Sequence, residues 1–148
     1  MSVDIGTQDY NTSMRPRSVA IIIDQPARRV LLIHRWNDGR EYYVLPGGKI
    51  EDWETPDETC VREAREETGL EISIGPQVAC FNNLGRVEYY FPATHFSGKL
   101  VLGFPEAGEQ TVQNIYKLEW IPIDQLPILA LKPQAVLSVV LMCVTGKL

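Results

Sequence analysis

Three glutamates in one short stretch, Glu63, Glu66 and Glu67, are the residues of this sequence best suited to chemistry. Carboxylates offer the oxygen ligands that hard divalent cations prefer, and a rigid element carrying several of them can hold such an ion. The segment from Thr55 to Gly69 has the signals of a helix. Thr55 is its N-cap, Pro56 its first residue, Glu58 completes a Thr-x-x-Glu capping box, and Gly69 is a left-handed stop. At about 100° per residue the three glutamates share one arc roughly 100° wide. They flank a weakly apolar face of Cys60, Val61, Ala64 and Thr68 that must pack on a sheet.

Such grouping is locally unfavourable. Like charges at i,i+3 and i,i+4 each cost on the order of 0.2–0.5 kcal/mol. Glu66 and Glu67 also lie near the helix C-terminus, where the macrodipole disfavours anions by about 0.3–1 kcal/mol. Arg62 can reach Glu66 at i,i+4 and offsets part of this, and a divalent cation would offset the rest. From the helix alone, a metal site and a solvated acidic face are equally good readings.

The wider spacing separates them. From Gly48 the sequence reads GKIEDWETPDETCVREAREETGL. It matches G-x5-E-x7-R-E-U-x-E-E-x-G-U, with U aliphatic, at every fixed position: Gly48, Glu54, Arg62, Glu63, Ala64, Glu66, Glu67, Gly69 and Leu70. In this segment the chain resembles the Nudix hydrolases, the MutT-like enzymes. The paired glycines Gly47-Gly48 and the late Glu119-Trp120-Ile121-Pro122 are compatible with that resemblance.

The resemblance implies an α/β fold, the family's α/β/α sandwich with a mixed central sheet. It implies that Glu63, Glu66, Glu67 and the backbone carbonyl of Gly47 hold Mg²⁺, with Mn²⁺ able to substitute. Arg62 is expected to orient the glutamates and Glu54 to brace the loop, so that Glu67, Glu63, Arg62 and Glu54 form the catalytic set. The reaction implied is attack of water on one phosphorus of a diphosphate linkage, with bound metal neutralising phosphate oxygens and activating the water. A carboxylate outside the helix is expected as base; Glu106, Glu109 and Glu119 are the candidates, and the sequence does not choose among them.

Arg35 and Lys49 are candidate phosphate contacts, with solvated surface charge as their alternative. Trp53 stands where many relatives have Gly, either covering the loop or touching substrate. Of the aromatic residues Trp36, Tyr42, Tyr43, Tyr89, Tyr90, Tyr116 and Trp120, most are expected in the core, and Trp120 is the candidate base platform. The expected substrate is a small nucleoside di- or triphosphate or a related nucleoside diphosphate derivative. A Nudix-like binding or regulatory module without turnover is the alternative, although such modules often lose the glutamates present here. Isopentenyl diphosphate isomerase shares the fold but needs an early catalytic cysteine, and this chain has none before Cys60.

The elements that position these residues read as follows. Met1 to about Arg17 is a polar lead-in, and residues 18–148 form one domain. Ser18–Asp24 and Val30–Trp36 form a hairpin-like strand pair, and Tyr42–Leu45 is a third strand, stopped by Pro46-Gly47-Gly48. Strands follow the helix at Glu71–Ile74, Gln77–Asn82, Val87–Phe96 and Tyr116–Ile121, and Pro133 opens a closing helix to about Val144. One mixed sheet with helices packed against it is the economical architecture.

Composition bounds the partners. With 148 residues, 45% hydrophobic and 22% charged, the chain has the makeup of a globular domain. A net charge of −5 without a basic block argues against a nucleic-acid polymer. Three scattered cysteines form no pair motif, no apolar leader is seen, and the longest apolar run, Ala135–Val144, is too short to span a bilayer. A cytoplasmic setting, no membrane partner, and a second copy of the chain as candidate homodimer partner are the corresponding expectations.

Overall fold

The computed structural model describes residues 15–103, 111 and 113–145. Among the described residues the strands, in chain order, are β1 Arg17–Ile21, β2 Ile23–Asp24, β3 Arg29–Asn37, β4 Arg40–Val44, β5 Gly47–Lys49, β6 Leu70–Ile74, β7 Ala79–Asn83, β8 Arg86–Gly98 and β9 Asn114–Pro122. Helix α1 spans Pro56–Thr68 between β5 and β6, and α2 spans Val136–Thr145 at the end. A 3₁₀ segment, Ile123–Ile128, joins β9 to the last part of the chain.

A mixed sheet runs β5-β1-β8-β6, with β7 also on β8; β1 and β8 are parallel and the other pairs antiparallel. A second, antiparallel sheet runs β2-β3-β4, with β9 on the other side of β3. The expected Ser18–Asp24 hairpin is thus only partly formed. Ile23 and Asp24 pair with Val30 and Arg29, but Arg17–Ile21 pair with β8 and β5 instead. The apolar run passes from one sheet to the other at Ile22, so its pattern is that of one strand although its partners are two. Pro46-Gly47-Gly48 is expected only to stop a strand, yet Gly47–Lys49 is itself a strand on β1.

Alternation along these strands builds two cores. Val19, Ile21, Ile23, Val30 and Leu32 face α2, packing with Val136, Val139 and Val140. Ala20, Ile22 and Leu31 face α1, packing with Cys60 and Ala64. The central strands are therefore buried on both faces, as a sandwich of helix, sheet and helix requires. The expected α/β architecture with a mixed central sheet is present. The closing helix begins at Val136, after turn bonds from Val136 N–H to the Pro133 carbonyl and from Leu137 N–H to that of Gln134. Among the described residues, no helix is long and apolar enough to cross a membrane.

Helix α1 buries few apolar atoms, and polar bonds fix its place. Thr55 N–H donates to Glu58 at 2.9 Å in a formed capping box. The Ser18 hydroxyl donates to the Pro56 carbonyl at 2.6 Å, tying the helix start to β1. At the other end Gly69 takes φ 82° and returns its N–H to Arg65. Val101 and Gly103 then donate to the carbonyls of Thr68 and Glu67 at 2.9 and 3.0 Å, satisfying groups a helix end leaves orphaned.

Candidate active site

Arg62 organises the acidic side of the site. Its Nε donates to Glu54 Oε2 at 2.5 Å and its Nη2 to Glu54 Oε1 at 2.8 Å, a two-point fork. Its Nη1 reaches Glu63 Oε2 at 3.1 Å and Glu66 Oε1 at 2.9 Å, and its Nη2 also meets the Lys49 carbonyl at 3.3 Å. Glu54 further accepts from the Thr59 hydroxyl at 2.7 Å and from Glu51 N–H at 3.2 Å. The Arg62 hydrogen bonds, with those of Thr59 and Glu51, hold the Glu54 carboxyl down at about 2 despite its burial. One guanidinium thus braces the loop before α1 and aligns two helix carboxylates.

The glycine pair brings β5 against the helix. Glu67 is buried, and its Oε1 accepts the Gly47 N–H at 2.8 Å. A Cβ on Gly47 would lie 2.4 Å from the Ser18 carbonyl oxygen, and one on Gly48 only 2.1 Å from Glu63 Cδ. Only glycine permits this approach. Ala20 N–H bonds the Pro46 carbonyl, so the antiparallel alternation turns the N–H and carbonyl of Gly47 away from β1, toward the Glu67 side.

Glu63, Glu66 and Glu67 line one cleft of about 450 Å³ together with Gly47, Gly48, Lys49 and Arg35. Among the described residues, no three His, Cys, Asp or Glu side chains already stand at the spacing of a closed metal site. Glu63 and Glu66 lean on Arg62, so closing around a cation requires rotation of their side chains. An all-carboxylate donor set beside a strand carbonyl is the chemistry Mg²⁺ or Mn²⁺ prefers, and the residues present fit such an ion.

The other predicted residues separate. Arg35 lines the cleft, donating from Nη2 to Asn114 Oδ1 at 3.0 Å and to the Tyr116 hydroxyl at 2.9 Å, with its guanidinium 4.2 Å above the Tyr116 ring. Lys49 lines it as well, with an exposed side chain. Trp120 is not brought to the cleft. It packs in the α1-side core against Phe96 at 5.5 Å, with Arg29 over its ring. Tyr116, on the same face of β9 and nearer the opening, lines the cleft instead.

Glu119 also points elsewhere. Its register partner is Leu32, a residue of the α2-side core, so it lies on the opposite face of the sheet from Tyr116 and Arg35. There it takes His34 Nδ1 at 2.6 Å, while His34 Nε2 meets Glu41 at 2.6 Å. Glu119 is thereby removed from the candidate bases, and Glu106 and Glu109 lie outside the described residues. Trp53 is exposed and not among the residues lining the cleft.

Residues 14–139 match the family model described as the NUDIX domain. The chain belongs to the Nudix family. It is 30% identical over 122 residues, 76% of its length, to the putative mutator protein MutT4 of Mycobacterium tuberculosis. It is 39% identical over 75 residues, 51% of its length, to the RNA pyrophosphohydrolase of Pseudomonas aeruginosa. It spans 42% and 45% of those two proteins, less than half of each. A structure from a study of MutT from Aliivibrio salmonicida and Vibrio cholerae superposes with a TM-score of 0.69 at 20% identity, covering 88% of this chain and 97% of that one, which shows the shared fold.

Around the Nudix box, the cleft holds cations that composition and spacing do not reveal. Arg17 and Arg86 line it, above Glu88, which is 1% exposed. Arg17 Nη1 meets Glu88 Oε2 at 3.2 Å and the Tyr90 hydroxyl donates to Glu88 Oε1 at 2.7 Å. Arg17, expected as the end of the lead-in, is instead the first residue of β1, and Arg15 pairs with Asp52 at 2.8 Å. The available signal is a lone glutamate inside the otherwise apolar run of β8, which demands a buried cationic partner.

Proposed function

We propose that this chain hydrolyses a phosphoanhydride linkage in a nucleotide-type substrate, using a divalent cation at Glu63, Glu66 and Glu67. The observation that carries the reading is a cleft lined by charges of both signs. Three carboxylates of the Nudix box line one side, and Arg17, Arg35, Lys49 and Arg86 line the same cavity. An acidic wall alone would repel a phosphate chain, and a basic wall alone would hold it without reaction.

When bound, Mg²⁺ or Mn²⁺ supplies neutralisation of phosphate oxygens and activation of water. The chain's own residues do the rest. Arg62 keeps Glu63 and Glu66 aligned, and Glu54 fixes Arg62. Gly47 N–H orients Glu67, and the Gly47 carbonyl is the backbone ligand that this register offers. Ile33, Val44 and Leu45 give the cleft an apolar part of its lining. Arg35 stacked on Tyr116 offers a planar surface for a base, the role expected of Trp120 from the sequence. A volume of about 450 Å³ lies in the range of roughly 300–1,000 Å³ usual for small-molecule sites.

The name of one relative, an RNA pyrophosphohydrolase, supports pyrophosphate hydrolysis and makes RNA a candidate substrate beside free nucleotides. The test is a product screen of purified protein with Mg²⁺ over nucleoside triphosphates, nucleoside diphosphate sugars, dinucleotides and a 5′-triphosphorylated RNA. At least one should be cleaved at a phosphoanhydride bond. Binding without turnover across the whole panel would favour the ligand-binding module instead.

A further inference from the structure

Behind the cleft, on the opposite face of the sheet, lies a buried histidine that the proposed reaction does not use. His34 is 5% exposed, and both of its ring nitrogens face carboxylates. Nδ1 stands 2.6 Å from Glu119 Oε2 and Nε2 stands 2.6 Å from Glu41 Oε2. The rings of Trp36 and Tyr43 lie against it, with centroids at 3.7 and 4.0 Å. Lys117, 3.8 Å from Glu119, and the Tyr43 hydroxyl are the other titratable groups that the described β3, β4 and β9 present on this face. Helix α2 carries no charged residue within Val136–Thr145, and Lys132 lies over the Tyr42 ring on the other face of β4.

Two contacts of 2.6 Å need two donors. An ionised carboxylate has none and a neutral imidazole has one. The geometry therefore takes a second proton, and imidazole is a stronger base than a carboxylate, so the proton belongs to the ring. The aromatic faces of Trp36 and Tyr43 suit a charged ring. Remove that proton, and a nitrogen lone pair is left against a carboxylate oxygen. Burial, and then Glu119 and Glu41, raise the Tyr43 hydroxyl pKa, so that phenol stays neutral and adds no charge to the group.

The three residues also tie three strands together, Glu41 on β4, His34 on β3 and Glu119 on β9. One position further along β3, on the cleft face, Tyr42, Arg35 and Tyr116 stand in register across the same three strands. The Arg35 guanidinium lies 4.2 Å from the Tyr116 ring and 5.5 Å from the Tyr42 ring. Successive side chains of a strand point to opposite faces, so a tie at His34 sets the strand spacing on which the Arg35–Tyr116 stack depends. We propose that Glu41, His34 and Glu119 form a proton-dependent clasp that holds the Arg35–Tyr116 side of the cleft in its binding position, with His34 a positioning residue for substrate. This rests on the reading of the cleft as the substrate site. When the second proton leaves as pH rises, the clasp opens and substrate is held less well. The carboxylates of α1, on another element, are untouched.

The experiment compares wild type, Glu41→Gln and His34→Leu with Mg²⁺ between about pH 6 and pH 9, on a substrate the wild type cleaves. The amide of Glu41→Gln can donate to a ring nitrogen, so its clasp closes around a neutral ring. Relative to that variant, the wild-type KM should climb about threefold to tenfold with pH, the worth of one hydrogen bond, while the kcat ratio stays level. His34→Leu should show a raised KM that does not climb. If His34→Leu folds poorly, Glu119→Gln, which offers the same amide at Nδ1, should repeat the level profile of Glu41→Gln. Parallel KM profiles in wild type and Glu41→Gln, or a loss carried by kcat, overturn the clasp and leave the hydrolase reading intact. Ring ¹⁵N spectra at neutral pH count the protons directly, since His34 and His95 are the chain's two histidines. His34 should show both nitrogens protonated in wild type and one in Glu41→Gln; a singly protonated ring in wild type overturns the clasp. If the wild type cleaves nothing, the hydrolase reading falls, and calorimetry with a nucleoside triphosphate in Ca²⁺ replaces KM. A Kd that climbs with pH in wild type alone sustains the clasp; no binding, or parallel profiles, overturns it.

Discussion

Arg62 has five N–H donors, and the structure directs them to Glu54, Glu63, Glu66 and the Lys49 carbonyl. A point-charge lysine could not make that fork. The pairing has a pH signature. The Glu54 carboxyl is held near 2 in the fold, against 4.5 ordinarily. The folded chain therefore binds this proton less readily than the unfolded one, and the stabilisation is present above pH 4.5 and lost as pH falls toward 2. Glu54→Gln should lower stability by about 1.5–3 kcal/mol at neutral pH, the usual worth of a hydrogen bond to a charged group. Its deficit in Tm should shrink steadily between about pH 5 and pH 2. A deficit independent of pH would mean that the ion pair is not what the substitution removes. Cys60 plays no part in this chemistry, since burial pushes its thiol up to about 12.

At the scale of elements, the glycine pair and helix α1 are one device. Gly47 and Gly48 are neighbours in sequence, yet their substitutions should differ. A methyl group on Gly48 meets the end of a flexible side chain, Glu63, whereas on Gly47 it meets the Ser18 backbone at 2.4 Å. Gly48→Ala should therefore cost activity tenfold or more while the fold survives with Tm little changed, because Glu63 must swing off its station. Gly47→Ala should cost about 1–3 kcal/mol of stability, as backbone overpacking does. Equal melting losses for the two would refute this division, as would full activity in Gly48→Ala.

Helix α1 itself was legible in the sequence, because capping residues, a start proline and a stop glycine are local signals, and the structure places its ends at Pro56 and Thr68. The carboxylate arc was legible for the same reason. What periodicity could not convey was the switch of the Ser18–Asp24 run between two sheets, since both halves are equally apolar and only distant partners distinguish them. Trp120 and Tyr116 lie on the same strand face, so pattern alone could not tell which one reaches the cleft; their depth along β9 decided it. Arg17 and Arg86 escaped because they are far apart in sequence and are brought together by parallel pairing of β1 with β8.

At the scale of the whole fold, the described sheets and helices α1 and α2 bury apolar residues on both faces of β1 and β3, leaving their ends to open on one cleft. The rigid core holds opposed charges in place, with the acid on α1 and the base on strand residues. Neither wall would persist on a mobile surface, where like charges would spread apart. The net charge of −5 and the cations of the cleft are compatible because that positive charge is local. On the proposed function, the Glu63, Glu66 and Glu67 wall works through a divalent cation. The most direct test is a Mg²⁺ titration of the initial rate for wild type and Glu67→Gln on a substrate the wild type cleaves. The amide oxygen introduced by that substitution can still accept the Gly47 N–H, so the fold is kept while a ligand charge is lost. The wild-type rate should fall to zero without free metal and saturate as Mg²⁺ rises. In Glu67→Gln the saturating rate should be lower by about a hundredfold or more, several kcal/mol of transition-state stabilisation, and the midpoint should move to higher Mg²⁺. A wild-type rate that persists in excess chelator, or a variant within a few-fold of wild type across the titration, would contradict it.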